Sequence, residues 1–416
     1  MAESEIHASE SEINPPDFLN KEFFHNVLRR TKNDDNLTIT NLKFVLGTKP
    51  GDNYASIMFK AIVSYTSKGK TVDSRSLVIK TFPVENEVNE DMTSEMLMFE
   101  REIDMYTKVL PEMKRIMEFI GDKEELAPNL VYHIMGPPTL IFDDIASLGY
   151  EMHYKLFDFN NTVKIMKKLA KFHALSYYIY DNKYNHLNDL TKYTTTMTDV
   201  QMDKFKVFFC GFDYLREEVE KWPGYERIAE VLATQNKTFR ENLLAAYQPN
   251  PDSEANVLCH GDFHIKNMMF LMNGEDFNKT MFLDFQLSYW GSPATDLLCV
   301  FYAIGGTECR KRRGEILSIY HESLTEYLNR LGCLRKPPTL LDLNIEMLKR
   351  GPIEILWAVC FLPFFHLDFT KIDPEAVADT SPEVMSKVRK LMYTNEEVVK
   401  TLKETLPELL YKGILA

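Results

Sequence analysis

Short runs of apolar residues alternating with polar ones fill the first third of the chain. Leu42 to Leu46, Ser56 to Tyr65 and Arg75 to Thr81 carry the β-branched and aromatic residues of strands, and a turn-like Thr66-Ser67-Lys68-Gly69-Lys70 joins the last two. The period then changes. Met96, Phe99, Ile103, Tyr106 and Leu110 recur at three- and four-residue spacing, which predicts a helix that stops before Pro111. Two shorter strands are expected at Leu130 to Ile134 and Thr139 to Phe142. Past Asp143-Asp144 the pattern is helical from about Asn160, and Thr162 to Tyr178 lines Val163, Met166, Leu169, Ala170, His173 and Tyr177 along one face. One β-like island, Val257 to Asp284, interrupts the helices, with an Asn273-Gly274 turn between two apolar runs.

Composition narrows the classes. With 416 residues, 45% of them hydrophobic and 26% charged, the chain can bury a large core and has room for two or three domain-sized units. Its net charge of −13, with no basic block longer than Arg310-Lys311-Arg312-Arg313, argues against a nucleic-acid partner. The six cysteines form no CxxC pair, so neither a zinc ribbon nor a disulfide framework is expected. No apolar signal segment opens the sequence, and the longest apolar run, Ile355 to Phe365, is too short to span a bilayer and contains Pro363. A cytoplasmic setting is the resulting expectation; protein partners are not legible.

The chemistry concentrates in the β-like island. His260-Gly261-Asp262-Phe263-His264-Ile265-Lys266-Asn267 is followed by Asp284-Phe285-Gln286. Phosphoryl transfer asks for a carboxylate that orients the attacking hydroxyl and for oxygen ligands that hold magnesium on the phosphates. Asp262 and Asn267 have the five-residue spacing of a kinase base and metal-binding amide, and Asp284, after the apolar Met281-Phe282-Leu283, stands where a second metal ligand belongs. Such hard oxygen donors suit Mg2+ better than sulfur or imidazole would. The alternation His260, Asp262, His264 also fits the opening of a metallophosphatase, but after residue 264 only His321 and His366 follow, in no ligand cluster.

Upstream, Lys80 closes the apolar Leu77-Val78-Ile79 run and would reach the α- and β-phosphates of ATP. Its carboxylate partner is expected on the next helix, where Glu102 shares a face with Phe99 and Tyr106; Glu95 and Glu100 are alternatives. Gly51-Asp52-Asn53-Tyr54-Ala55-Ser56 is the candidate phosphate-covering loop, with Asn53 and Ser56 as nucleotide contacts, although it has no GxGxxG and an ordinary hairpin loop fits it nearly as well. A hinge near residues 143 to 147 would set Asp143 and Ile145 beside the nucleotide. Asp296 opens an apolar helix and reads as a brace for the catalytic loop, with His260 as a further support. His173 and the stripe Phe205, Phe208, Phe209, Phe212 have the spacing of core residues.

On these residues the chain resembles the ecdysteroid kinase-like family of insects, a relative of choline kinases and aminoglycoside phosphotransferases. The HGD-xxxx-N block and the stretch from Asp284-Phe285-Gln286 to Gly291-Ser292-Pro293-Ala294-Thr295-Asp296-Leu297-Leu298 carry the likeness most specifically. The resemblance implies ATP and magnesium as cofactors, Asp262 as catalytic base, Asn267 and Asp284 as metal ligands, and Lys80 with Glu102 on the nucleotide. It implies a small alcohol as acceptor, an ecdysteroid or similar lipophilic alcohol first, with choline-like or xenobiotic alcohols as alternatives. A nucleotide-binding scaffold is the competing reading of another class. Many members of the family carry Trp where this chain has His264, so His264 would either touch the γ-phosphate or pack. A protein kinase is disfavoured because Gly261 replaces the arginine that pairs with a phosphorylated loop, and only eleven residues separate Asp284 from Asp296.

The expected architecture is α+β and bilobal, like a protein kinase, with a small antiparallel-sheet lobe holding one main helix and a larger helical lobe. Its boundaries are set at 1–35 for an N-terminal extension and helix, 36–145 for the ATP-binding lobe, and 146–416 for the catalytic and substrate-binding lobe.

Overall fold

Strand alternation organises the first part of the molecule, seen here in a computed structural model. The structure describes residues 15–46, 57–67, 71–81, 90–182, 185–187, 189–199, 202, 211–235, 238–250, 253–367 and 382–415. Five antiparallel strands, β1 (Thr38–Leu46), β2 (Ile57–Thr66), β3 (Asp73–Thr81), β4 (Leu130–Met135) and β5 (Pro138–Asp143), pair in the order β1-β2-β3-β5-β4. Phe59, Ala61, Val63 and Tyr65 of β2 and Leu77 and Ile79 of β3 are buried at every second position, as a half-covered sheet requires. What covers that face is the helix Lys21–Lys32, whose Phe24, Val27 and Leu28 share one core with these strand residues. Asn20 caps this helix, accepting from Phe23 N at 3.1 Å. The helix expected within the N-terminal segment 1–35 is therefore part of the sheet's own core.

Residues Met1–Thr107 with Ala127–Glu151 form one compact unit, and Lys108–Leu126 with Met152–Ala416 a second. The boundary expected at 145 falls instead at 151, at the two-residue strand β6 (Glu151–Met152), and 108–126 depart from the first lobe. The reason for the departure is local. The helix expected to stop before Pro111 runs as Glu90–Asp104, passes through a π-type turn at Met105–Val109, and resumes as Leu110–Phe119 with Pro111 in its first turn, where a missing N–H costs nothing. That second piece packs on Phe159–Asp181 and gives the Glu112 carboxylate to Asn185 Nδ2 at 2.8 Å, so it belongs to the helical unit.

In the second unit the long helix Phe159–Asp181, capped by Asp158, packs along Arg313–Leu331. Three further strands and the loops between them stand on it: β7 (Val257–Cys259), β8 (Met268–Asn273) and β9 (Asp276–Phe282), with β10 (Tyr289–Gly291) returning to pair with β7. The β8–β9 turn is Gly274-Glu275, with Gly274 at a φ of 68° that favours glycine. Buried Lys168 of the long helix donates to Glu125 O and Thr280 O and fastens the hairpin to the helix; burial pushes its ammonium down to about 8. Among the described residues no helix is long and apolar enough to cross a membrane.

Candidate active site

In the first unit, alternation decides where Lys80 points. Leu77 and Ile79 face the N-terminal helix, so Lys80 leaves β3 from the opposite face, and its Nζ meets Glu102 Oε2 of the helix Glu90–Asp104 at 2.6 Å. Both side chains are buried, at 6% and 2% exposure. Among the candidate partners Glu102 is bonded to Lys80; the side chain of Glu95 lies outside the described residues. So do Asn53 and Ser56. Ile145 is buried, and the Asp143 carboxylate is held within the sheet, accepting from Arg75 Nη2 at 2.6 Å and Asn129 Nδ2 at 3.0 Å. No sequence pattern pointed to that pairing, which depends on the register that sets Leu77 opposite Asp143. Because removing one partner of a buried ion pair takes away part of what compensates the other charge, Glu102→Ala should lower the stability of this unit by up to about 3–5 kcal/mol. Urea denaturation followed by hydrogen exchange in β3 reads that loss, and pairing the change with Lys80→Met should restore most of it.

In the second unit a single turn of chain between β7 and β8 gathers the catalytic candidates. Phe263 and Ile265 are buried and anchor the loop from below, Phe263 edge-on to Phe282 at 5.0 Å. Asp262 and Asn267 stay near the surface. Asn267 Nδ2 donates to Asp262 Oδ2 at 2.9 Å and to Asp262 O at 3.0 Å, leaving its Oδ1 as the atom available to a cation. His264 Nε2 lies 3.4 Å from Asp262 Oδ2. Burial opposes the charge on Asp262, but the His264 and His260 imidazoles and the Asn267 amide outweigh it and hold the carboxyl down to about 2.

Asp284 follows two residues after β9 in the left-handed region, φ 59°, where Asp and Asn are among the few side chains tolerated. The Leu283 N–H to Asn267 O bond, at 2.9 Å, ties this corner to the catalytic loop, and Gln286 Nε2 donates to Asp284 Oδ2 at 3.4 Å. Asn267 and Asp284 thus supply hard oxygens from adjoining chain segments, a donor set that suits magnesium. His260, Asp262 and His264 do not converge as metal ligands. His260 Nε2 donates to Leu283 O at 2.8 Å, and its ring sits among Phe263, Phe282 and Phe285, where burial pushes it toward the neutral form. Among the described residues no group of three or more His, Cys, Asp or Glu side chains is gathered as a metal site.

Asp296 holds the loop in place. Fully buried in the first turn of the helix Ala294–Ala303, it accepts from His260 N at 2.7 Å, from Gly261 N at 3.0 Å and from His173 Nε2 at 3.0 Å. Tyr320 OH then donates to His173 Nδ1 at 2.7 Å and completes a buried chain of three side chains behind the two backbone N–H groups. Tyr320 had no sequence signal, since its role depends on how Arg313–Leu331 packs on the long helix. Gly261 is required by geometry: its φ is 85°, and an added Cβ would sit 2.1 Å from Leu287 O. Gly261→Ala should therefore cost roughly 2–5 kcal/mol, combining left-handed strain with a backbone clash. Wild-type stability of that variant in denaturant titration would show that the loop is free to move off Leu287.

An antiparallel-sheet unit carrying a buried Lys–Glu pair, and a mostly helical unit carrying an HGD-xxxx-N loop with a following Asp, together define an α+β, bilobal kinase-like fold. The ecdysteroid kinase-like family model matches residues 50–333, and the chain belongs to that family. Among solved structures, the GDP complex of an aminoglycoside 2'-phosphotransferase is 13% identical over 92% of this chain and 99% of that one, with a TM-score of 0.42. The Plasmodium vivax ethanolamine kinase is 16% identical over 97% and 93%, at 0.39, and a glucosamine kinase 14% identical over 93% and 87%, at 0.34. None of these three likenesses reaches a TM-score of 0.5, and membership rests on the family match. A search of curated proteins finds no match.

Proposed function

We propose that the chain is a small-molecule kinase that uses ATP and magnesium to phosphorylate a hydroxyl, the acceptor being an ecdysteroid or a similar lipophilic alcohol. The observation that carries this reading is the Asp262–Asn267 hydrogen bond on a loop braced by Asp296 and tied by Leu283 N to the corner bearing Asp284. In the transfer, the acceptor oxygen forms a bond to the γ-phosphorus while the bond from that phosphorus to the β,γ-bridging oxygen breaks. ADP leaves, and the hydroxyl proton passes to Asp262.

A carboxyl held down to about 2 is a weak base but a dependable acceptor, ionised at any working pH. That suits a reaction whose transition state demands little proton removal, so Asp262 acts mainly by orienting the hydroxyl. Asn267 and Asp284 would hold magnesium, which when bound neutralises charge on the phosphates. Lys80, fixed by Glu102, is assigned to the nucleotide phosphates. The test is incubation with radiolabelled ATP, magnesium and a panel of steroid, choline-like and xenobiotic alcohols. Label should move to one class of alcohol; nucleotide binding with transfer to none of them would favour a scaffold.

A further inference from the structure

Two buried polar side chains of the second unit have no part in the proposed chemistry: His173 on the long helix Phe159–Asp181 and Tyr320 on the helix Arg313–Leu331. With two backbone N–H groups already donating to it, Asp296 is an acceptor here, so the hydrogen of its 3.0 Å contact with His173 sits on Nε2. The other ring nitrogen, Nδ1, is then a bare acceptor, and Tyr320 OH faces it at 2.7 Å. Burial pushes the Tyr320 phenol well above its ordinary range, so it stays a neutral O–H, and among the described residues Nδ1 is the one hydrogen-bond partner of its oxygen. Were Nδ1 to carry a hydrogen as well, the phenol would have to accept, and its own hydrogen would lie buried without a partner. One arrangement therefore satisfies every group: phenol O–H to Nδ1, Nε2–H to Asp296, and the His260 and Gly261 N–H groups to the same carboxylate. The strand before the loop is anchored separately. Ser176 donates to His173 O at 2.8 Å and accepts from Leu258 N at 3.0 Å, which fixes β7 to the long helix. The bonds to Asp296 begin at His260, two residues before Asp262.

We propose that Tyr320 is a positioning residue for the catalytic loop: its O–H holds His173 in the tautomer and orientation that donate to Asp296, and through Asp296 it fixes the His260 and Gly261 N–H groups that set the place of Asp262. Without the phenol O–H, Nδ1 loses its donor, the ring can turn about its Cβ–Cγ bond, and Asp296 loses a fixed partner. Its consequence for turnover rests on the kinase reading above; the effect on the loop does not.

The test has one arm without substrate and one with it. Full-length Tyr320→Phe keeps the ring that packs edge-on against His173 at 5.8 Å and loses only the O–H. Hydrogen exchange at the His260 and Gly261 amides should rise at least about tenfold more than at the Leu258 amide, which Ser176 holds. In a His173→Gln background the same substitution should change that ratio by less than about twofold, because the phenol no longer has an imidazole to hold. With the acceptor found in the labelling panel, kcat should fall about 5–20-fold while the KM for ATP stays within about twofold. Unchanged exchange at His260 and Gly261, an equal rise at Leu258, the same effect in the His173→Gln background, or a loss confined to the KM for ATP would each overturn the proposal. Should Tyr320→Phe not fold, nitrogen NMR of histidine-labelled wild-type protein still decides: His173 must carry a hydrogen on Nε2 and none on Nδ1, and any other pattern overturns it. Failure of the kinase reading has a separate signature: the exchange pattern holds while wild-type protein transfers phosphate to no alcohol.

Discussion

Asp262→Asn should lower turnover by about 10²–10⁴-fold while the KM for ATP stays within about twofold of wild type. The substitution keeps the shape of the side chain and an oxygen that can accept from Asn267 Nδ2, now at 2.9 Å. The loop is held from behind by Asp296 through His260 N and Gly261 N, contacts that Asp262 does not share, so its course should survive the change. What is lost is the negative charge that, on the proposed function, orients the hydroxyl and receives its proton. Steady-state kinetics with the acceptor found in the labelling panel read this directly. Full activity would remove Asp262 from the chemistry, and a matching rise in the KM for ATP would reassign it to nucleotide binding.

The second large effect is expected at Asp284. Asn is the informative replacement because it tolerates the left-handed backbone, φ 59°, and removes only the charge. A ligand stabilises a protein to the extent that it binds the folded state, by about 2.7 kcal/mol at a hundredfold excess over its Kd. Wild-type protein should therefore melt at a higher temperature with ATP and magnesium than without, and Asp284→Asn should lose most of that shift while keeping its ligand-free melting temperature. An undiminished shift would mean that Asp284 does not hold the metal.

How far the sequence could be read depended on whether a feature was local. β-branched and aromatic runs located the five strands of the first sheet, and the run Arg75 to Thr81 put Lys80 on β3. Face-sharing along one helix was enough to favour Glu102. The spacing from Asp262 to Asn267 is a single turn of chain, so its hydrogen bond follows from local geometry once Phe263 and Ile265 are buried. Features set by packing across the chain were not legible in the same way. The partners of Asp143, the contribution of Tyr320 behind His173, and Lys168 clamping β9 each depend on elements tens of residues apart. Pro111 misled for a different reason. A proline ends a helix only where its absent N–H and its ring matter, and at the first turn of Leu110–Phe119 neither does. For the same reason the boundary of the first unit was placed too simply, because 108–126 had no composition shift to mark their departure. Asn53 and Ser56, read from the Gly51 to Ser56 loop, fall outside the described residues and remain expectations of the sequence.

The most direct test of the account is phosphorus NMR of the full-length protein with ATP, magnesium and the alcohol panel. A small-molecule kinase should produce ADP and a phosphomonoester resonance in equal amounts, with little inorganic phosphate, and Asp262→Asn should suppress both signals together. ADP accompanied only by inorganic phosphate, or a phosphomonoester that forms undiminished in Asp262→Asn, would contradict it.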